Sequence, residues 1–369
     1  MPQTQSHIVV GNSVRYLAQS GRRAGLSIVS VDAFADMDTQ EAVERFRIAD
    51  CPSPRALKAC MRGTDPRETH SWSYGAGFEN DPDALSDIAR LKRKPAGNTA
   101  DVLRLLGDPE RYFHLLRELG ISFPEITSTA HGHLDYWLFK ASRRQGGLQV
   151  WLAEQVPSGV HGYFQKRMTG DLCSLLFAAD GRDIQVLGFN QLEARDEKRG
   201  DFRFSRLVSG YVPPEQNTVQ MCNAAERLTR ALGLRGINGL DFVLCEGQAY
   251  LLDVNARPPA SLELYEHVLP DGGLVTHLSA CEGRLPKPLT ELPRQGLEVL
   301  YARRDSRIGN VAWPEWLRDR PMPGTRIAGG SPLCTVHATA QTADGIRARL
   351  KRRADAAYLL IETFSEVAA

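Results

Sequence analysis

One segment constrains this chain more than any other. Residues 236–261 read GINGLDFVLCEGQAYLLDVNARPPAS, two apolar runs on either side of Glu246-Gly247-Gln248. That pattern predicts a hairpin. With Gly247 at its centre, Cys245 pairs with Ala249, Val243 with Leu251, and Asp241 with Asp253. Two carboxylates then face each other across a mostly apolar ladder, which is destabilising on its own. A divalent cation between them removes the conflict. Asn255 shares the face of Asp253, because strand side chains repeat every two residues. Two carboxylates and an amide oxygen are the hard ligands that Mg²⁺ or Mn²⁺ takes. Arg257, two residues further on, is placed to meet an anion. The plainer alternative is that Asp241 and Asp253 are ordinary strand-end residues.

Upstream features bear on that choice. Lys140 ends the apolar strand 136–140 and precedes Ser142-Arg-Arg-Gln-Gly146-Gly147. A lysine point charge beside exposed backbone N–H groups suits a polyphosphate, although a plain turn reads the same way. The strand 162–168 runs through Gln165-Lys166-Arg167-Met168 into Gly170-Asp171, and such an exit can offer backbone groups to a purine. Residues 7–13, 14–23 and 26–31 alternate strand, helix, strand, the unit of a parallel sheet. Gly11-Asn12-Ser13 sits where that helix opens, a place for an anionic group or for a simple turn. It is not G-x-G-x-x-G, so a dinucleotide fingerprint is absent.

Asp108-Pro109 opens another helix that Gly120 ends, and the helix 214–232 ends at Gly233. From Pro286 the chain is rich in Pro and Gly. Its expected strands are short (297–302, 325–327, 334–340), and a basic helix at 343–356 reads as a solvated face. A chain of 369 residues predicts two or three domains.

Lys plus Arg number 45 and Asp plus Glu 44, a net charge of +1. That excludes an electrostatic case for nucleic acid or an anionic membrane as main partner. No apolar run is long enough to span a bilayer, and no signal peptide is visible. The seven cysteines (51, 60, 173, 222, 245, 281, 334) lack C-x-x-C pairing and read as reduced thiols of a cytoplasmic protein. His131 and His133 fall in a predicted loop and are not expected to hold a metal.

The order of these motifs is more specific than any one of them. A strand-Lys-Gly loop, a strand with a hinge and Gly, then Asp…Asp-x-Asn-x-Arg resembles the ATP-grasp superfamily of carboxylate–amine ligases. The resemblance covers about residues 1–285. Within it, Tyr74-Gly-Ala-Gly-Phe-Glu79, Asp253 to Glu263 and Gly330 to Ala338 resemble the group that includes the tyramine–glutamate ligase of methanofuran biosynthesis, next to tetrahydromethanopterin-linked one-carbon metabolism.

The resemblance implies an α/β ATP-grasp fold: a Rossmann-like pre-grasp domain (1–120), the ATP-grasp domain (121–285) and a small β-rich C-terminal cap (286–369). It implies an ATP-dependent ligase that joins glutamate to an amine, tyrosine or tyramine, through an acyl-phosphate. An ATP-grasp carboxylase using bicarbonate and a non-catalytic nucleotide-binding module are the alternatives. Lys140 is implied at the α- and β-phosphates, Ser142, Gly146 and Gly147 in the loop over them, and Gln165, Lys166, Arg167 and Met168 at the adenine. Asp171 is implied at the ribose, one residue away from the usual position, which here is Leu172. Asp241, Asp253 and Asn255 are implied as metal ligands, and Arg257 as the catalytic arginine at the acyl group. Gly11, Asn12, Ser13, Tyr74, Gly75, Gly77, Glu79, Arg257 and Glu263 are implied at the substrates. Trp72, Tyr74 and Phe78 are expected to supply aromatic faces, and Arg15 to help hold a carboxylate. The lysine that usually opens the helix before the grasp is missing, with Arg111 as the expected substitute. A homodimer is a further expectation.

Overall fold

The computed structural model describes residues 6–48, 71–91, 95–130, 133–142, 149–196 and 200–367. The N-terminal strands β1 (Ser6–Gly11), β2 (Ser27–Asp32), β3 (Arg45–Ile48) and β4 (Ser71–Tyr74) form a sheet in the order β3-β2-β1-β4. All three pairings are parallel, as the strand–helix–strand pattern requires. The helix Arg15–Arg23 makes the first crossover. The helix Pro109–Glu118 starts as its sequence predicts: the Asp108 carboxylate accepts from the Glu110 and Arg111 N–H groups, and Pro109 fills the first turn.

A small antiparallel sheet follows, built from β5 (Ile126–Thr127), β6 (Trp137–Ala141), β7 (Val150–Leu152) and β8 (Gly162–Lys166) in the order β5-β8-β6-β7. The largest sheet holds β9 (Asp171–Asp180), β10 (Ile184–Asp196), β11 (Asp201–Ser209), β12 (Arg235–Cys245), β13 (Gln248–Asn255), β14 (Gln295–Tyr301), β16 (Leu317–Arg318) and β18 (Pro332–Thr339). Its order is β13-β12-β9-β10-β11-β14-β18-β16. The strands β14 and β18 lie beyond residue 285, so the C-terminal region extends this sheet. Short strands β15 (Ser306–Arg307), β17 (Arg326–Ile327) and β19 (Glu366–Val367) form a separate three-stranded patch.

The 18-residue helix Glu215–Leu232 ends at Gly233 with φ 65°, the left-handed stop its sequence predicts. The basic helix runs further than expected, Ala343–Phe364. Its arginines are only partly solvated: Arg347 bonds Glu193 at 2.9 Å, and Arg353 lies 5.3 Å from the Trp316 ring centre. One core joins the N-terminal sheet to the large sheet, through Trp72, Tyr74, Phe78 and Ile88 on one side and Leu175, Phe177, Leu240 and Leu251 on the other. A second core seats the C-terminal helix, through Ile346, Leu350 and Ile361, on Val208, Leu300 and Val336. Among the described residues no helix is long and apolar enough to cross a membrane.

Candidate active site

The hairpin forms, with a different register and the same opposed pair. Cys245 faces Gln248, Leu244 faces Ala249 and Phe242 faces Leu251, one step from the expected pairing. The turn is a tight two-residue one, with Glu246 and Gly247 both at positive φ (49° and 77°). An irregularity between Asp241 and Phe242 then absorbs one extra residue, Leu252, and brings Asp241 opposite Asp253. The bulge also has a use: the Leu252 carbonyl accepts from Lys140 Nζ at 3.3 Å.

Electrostatics mark the place as unfinished. Burial, and then the charge of Asp253, pushes Asp241 up to about 7; Asn255, Arg257 and Lys140 oppose this. Burial raises Asp253 as well, against Lys140 and a 2.9 Å bond from the Val254 N–H. Lys140 is lowered by burial, with Asp253 and Asp241 pulling the other way. A divalent cation fits this donor set, since it would hold both carboxylates ionised. Asn255 is more engaged than a waiting ligand. Its amide donates to Asp241 at 3.0 Å and its oxygen accepts from Arg257 at 3.1 Å. In this conformation Asp241 and Asp253 are the available metal donors, and Asn255 ties them to Arg257. No group of three or more His, Cys, Asp or Glu side chains placed to hold a metal ion occurs among the described residues, so other ligands would come from substrate oxygens and water.

Arg257, 8% exposed, is paired with Glu79 from the N-terminal region. The second Glu79 oxygen accepts from the Gly77 N–H at 2.9 Å, and Gly77 sits at φ 126°, where a side chain would be strained. Glu79, expected at a substrate, is thus engaged with Arg257 and the Gly77 N–H in this conformation.

The small sheet covers this floor. Lys140 and Tyr163 are cross-strand partners, and Leu138 pairs with Gln165, so the four share one face. Gln165 is 2% exposed, and its Nε2 has no hydrogen-bond partner. The Lys166 and Arg167 N–H groups are already bonded to the Glu125 and Tyr136 carbonyls at 2.8 and 2.7 Å. Those two residues can serve a purine only through their carbonyls, and Met168 follows them, half-buried. Asp171 is exposed at the start of β9 and bonded by the Tyr211 hydroxyl. Ser142 lies at the end of β6, its N–H on the His161 carbonyl at 3.2 Å. Gly146, Gly147 and His131 lie outside the described residues.

The expected acceptor residues fare differently. Trp72, Tyr74 and Phe78 are each at most 1% exposed and form core. The Tyr74 hydroxyl donates to the Asn98 carbonyl at 2.8 Å, so these rings are not substrate faces. Asn12 N–H bonds the Ala76 carbonyl at 2.7 Å and Gly75 N–H the Val10 carbonyl at 2.8 Å, a backbone zipper between two loops. A Cβ on Gly11 would lie 3.0 Å from the Ala76 oxygen, so close packing explains that glycine. Ser13 faces Asp319 at 3.5 Å, and the Asp32 carboxylate already accepts from the Val14 N–H at 2.7 Å, where an anion was expected. Arg15, 3% exposed, is consumed by a two-pronged bond to Glu263 (2.7 and 2.6 Å) and by Asp319 at 2.7 Å. Glu263, expected at the amine, is an internal ion-pair partner of Arg15 in this structure.

Tyr112, on the buried face of the helix Pro109–Glu118, is not among the residues expected at the site. In the structure Tyr112 and Tyr163 both feel the charge of Asp253. The missed signal was that Tyr112 lies on the buried face of a helix whose start was already fixed by Asp108-Pro109.

Residues 108–261 match the ATP-grasp domain family. No curated protein matches the sequence significantly. Among solved structures, N5-carboxyaminoimidazole synthetase from Staphylococcus aureus complexed with ADP is 13% identical, covers 95% of this chain and 96% of its own, and gives a TM-score of 0.70. The biotin carboxylase–β,γ-ATP complex from Campylobacter jejuni is 13% identical over 95% of this chain and 90% of its own, TM-score 0.73. The biotin carboxylase domain dimer of the Hydrogenobacter thermophilus 2-oxoglutarate carboxylase, with MgADP and bicarbonate, is 12% identical over 99% and 90%, TM-score 0.72. The chain has the ATP-grasp fold. The N-terminal parallel sheet precedes the small sheet and the β12–β13 hairpin in the chain.

Proposed function

We propose that the protein is an ATP- and Mg²⁺-dependent ligase that activates an oxyacid as its phosphoric anhydride and passes the acyl group to an amine. The observation that carries this is the pair Asp241–Asp253, opposed across β12–β13, raised by burial and faced by Lys140. Mg²⁺ there would offset charge on the transferring phosphoryl group. Lys140 and the hinge at Gln165 would hold the two ends of the nucleotide. Arg257, steered by Glu79, would steady the oxyanion as the amine attacks. No side-chain nucleophile is needed. On this reading residues 1–120 carry the acceptor side, 121–285 the nucleotide, and 286–369 close the sheet.

The choice of glutamate as the acid and tyrosine or tyramine as the amine, in one-carbon cofactor synthesis, rests on the group resemblance alone. The aromatic residues that supported a phenolic partner are core. Mn²⁺ in place of Mg²⁺, a homodimer and a cytoplasmic location carry over from the sequence reading. A second reading has bicarbonate as the acid. It is favoured by end-to-end likeness to structures described as carboxylases and carboxyaminoimidazole synthetases. ADP release should be measured with bicarbonate and with glutamate, tyrosine and tyramine, singly and in pairs. Turnover only with an amino-acid pair supports the first reading; turnover with bicarbonate replaces it by the second. ATP that fails to bind under any condition overturns both.

A further inference from the structure

The helix Pro109–Glu118 brings one side chain to the cleft that neither the motifs nor the fold assigns. Tyr112 is 7% exposed, and its hydroxyl oxygen is buried with no hydrogen-bond partner. Its ring is held rather than loose: it lies 5.0 Å from the Phe113 ring centre, and Phe113 packs edge-on against Tyr163 at 5.1 Å. Tyr163 is the cross-strand partner of Lys140. The charges that act on Tyr112 are those of Asp253 and Asp241. A buried hydroxyl left unbonded is costly, and native structures retain few without a reason.

We infer that the Tyr112 hydroxyl is a phosphate-binding donor of the nucleotide cleft, awaiting an oxygen of the polyphosphate. The inference rests on the nucleotide reading above and adds a residue to it. Burial, with Asp253, Tyr163 and Asp241 nearby, keeps the phenol protonated well above its ordinary range, so it retains a proton to donate at neutral pH. Among the described residues Lys140 is the one charged donor on this face, and Tyr112 adds a neutral one. The chain has no lysine at the start of this helix, and Arg111, the expected substitute, lies on its exposed side. Tyr112, the next residue, faces inward. The acceptor must be anionic and must approach two carboxylates, which a cation-bridged phosphate oxygen can do and a free carboxylate cannot.

Tyr112→Phe removes the hydroxyl and keeps the ring. Calorimetry should compare a non-hydrolysable ATP analogue with Mg²⁺ against adenosine, in wild type and variant, with a melting curve of each apo protein. The expected result is binding of the analogue weakened about tenfold, the scale of one hydrogen bond to a charged acceptor. Adenosine affinity should be unchanged, and the apo melting temperature equal or higher. Unchanged analogue affinity overturns the inference. So does an equal loss for adenosine, which would mean ring packing, or a lower apo melting temperature, which would mean the hydroxyl already has a partner. If wild type binds neither ligand, the nucleotide reading itself has failed. If wild type binds both and the variant matches it, only the role of Tyr112 falls.

Discussion

Two buried charge clusters sit in this molecule, and they are built on opposite rules. Around Arg15, carboxylates and cations interlock: Glu263 and Asp319 take the guanidinium directly, and Asp38 lies 3.7 Å from it. The Asp38 carboxylate also accepts from the Asp319 and Arg320 N–H groups at 3.0 and 2.9 Å. Burial alone would raise Glu263, but Arg15 and then His337 hold it down to about 2. Asp38 is itself raised by burial, against Arg15, and Arg320 Nε and His337 Nε2 have no hydrogen-bond partner, so the contrast rests on the Arg15–Glu263–Asp319 core. Around Asp241 and Asp253 no such compensation is reached. Both carboxylates are raised, Lys140 is lowered, and the Tyr112 hydroxyl and Gln165 Nε2 have no partner. A carboxylate held by a fixed cation stabilises the fold, whereas a raised pair beside unpartnered donors suits completion by a ligand. Residue type alone does not separate the two, since both are built of carboxylates and basic side chains.

Breaking the Arg15 cluster should give the largest effect on stability. Arg15→Ala strands Glu263 and Asp319 without their cation, so chemical denaturation should show a loss of about 3–5 kcal/mol. Nucleotide affinity of the folded fraction should be unaffected. A stable Arg15→Ala protein that has lost turnover would reverse the assignment and make this cluster the substrate site.

The mirror experiment is Asp253→Asn. The apo protein should be as stable as wild type or more so, because the change relieves the repulsion with Asp241. ATP-dependent turnover should fall about 100-fold or more, since a neutral amide cannot balance the phosphate and metal charge. Wild-type turnover at saturating Mg²⁺ would remove these carboxylates from the metal site.

These two clusters also show where sequence reading reaches and where it stops. The opposed pair Asp241–Asp253 was legible because period-two patterning and a Gly turn locate a hairpin. The path to it was not, because the two-residue turn and the bulge at Leu252 shift the register twice, and the shifts cancel. Lys140 and Gln165 were legible as strand-exit residues in a specific order. Arg15, Glu263 and the Trp72 to Phe78 stretch were read as substrate contacts because short motifs do not report burial. Glu263 is 248 residues from Arg15, and only the tertiary fold brings them together. Glu79 is expected from its motif at a substrate, but its partner, Arg257 178 residues away, depends on how the two regions pack.

Glu79→Gln probes that link between regions with a smaller effect. The amide can still accept from Arg257, but only the donor is then charged and the ion pair is lost, which weakens the hold on the guanidinium. kcat should fall about tenfold, the scale of a lost charge-assisted contact, with ATP affinity retained. The two parameters should be read separately from initial-rate kinetics. A loss in ATP affinity with kcat intact would place Arg257 at the nucleotide instead of the acyl group.

The smallest effect, and the sharpest discriminator of sign, is the pH dependence of apo stability. Asp241 has its folded pKa raised from 3.8 to about 7, so between those values the unfolded chain is the more ionised state. Stability from this residue is full below about pH 4 and is lost as pH rises towards 7. Glu263 is lowered from 4.5 to about 2, so its contribution is present above about pH 4.5 and is lost as pH falls through 2. Asp36, raised to about 8 by burial and by Asp319, Asp32 and Asp38, has the same sign as Asp241 and must be separated from it. Urea midpoints from pH 4 to 8 should therefore be compared for wild type, Asp241→Asn and Asp36→Asn. Asp241→Asn should recover about 1 kcal/mol near pH 7, a figure reduced from the full shift because nearby water relaxes around a partly exposed carboxylate. Mg²⁺ with an ATP analogue should flatten the same window in wild type, since a bound cation removes the reason for Asp241 to hold its proton. It should leave the Asp36 component untouched. If Asp241→Asn leaves the slope between pH 4 and 7 unchanged, the cleft is as well balanced as the Arg15 cluster, and the contrast between the two regions disappears.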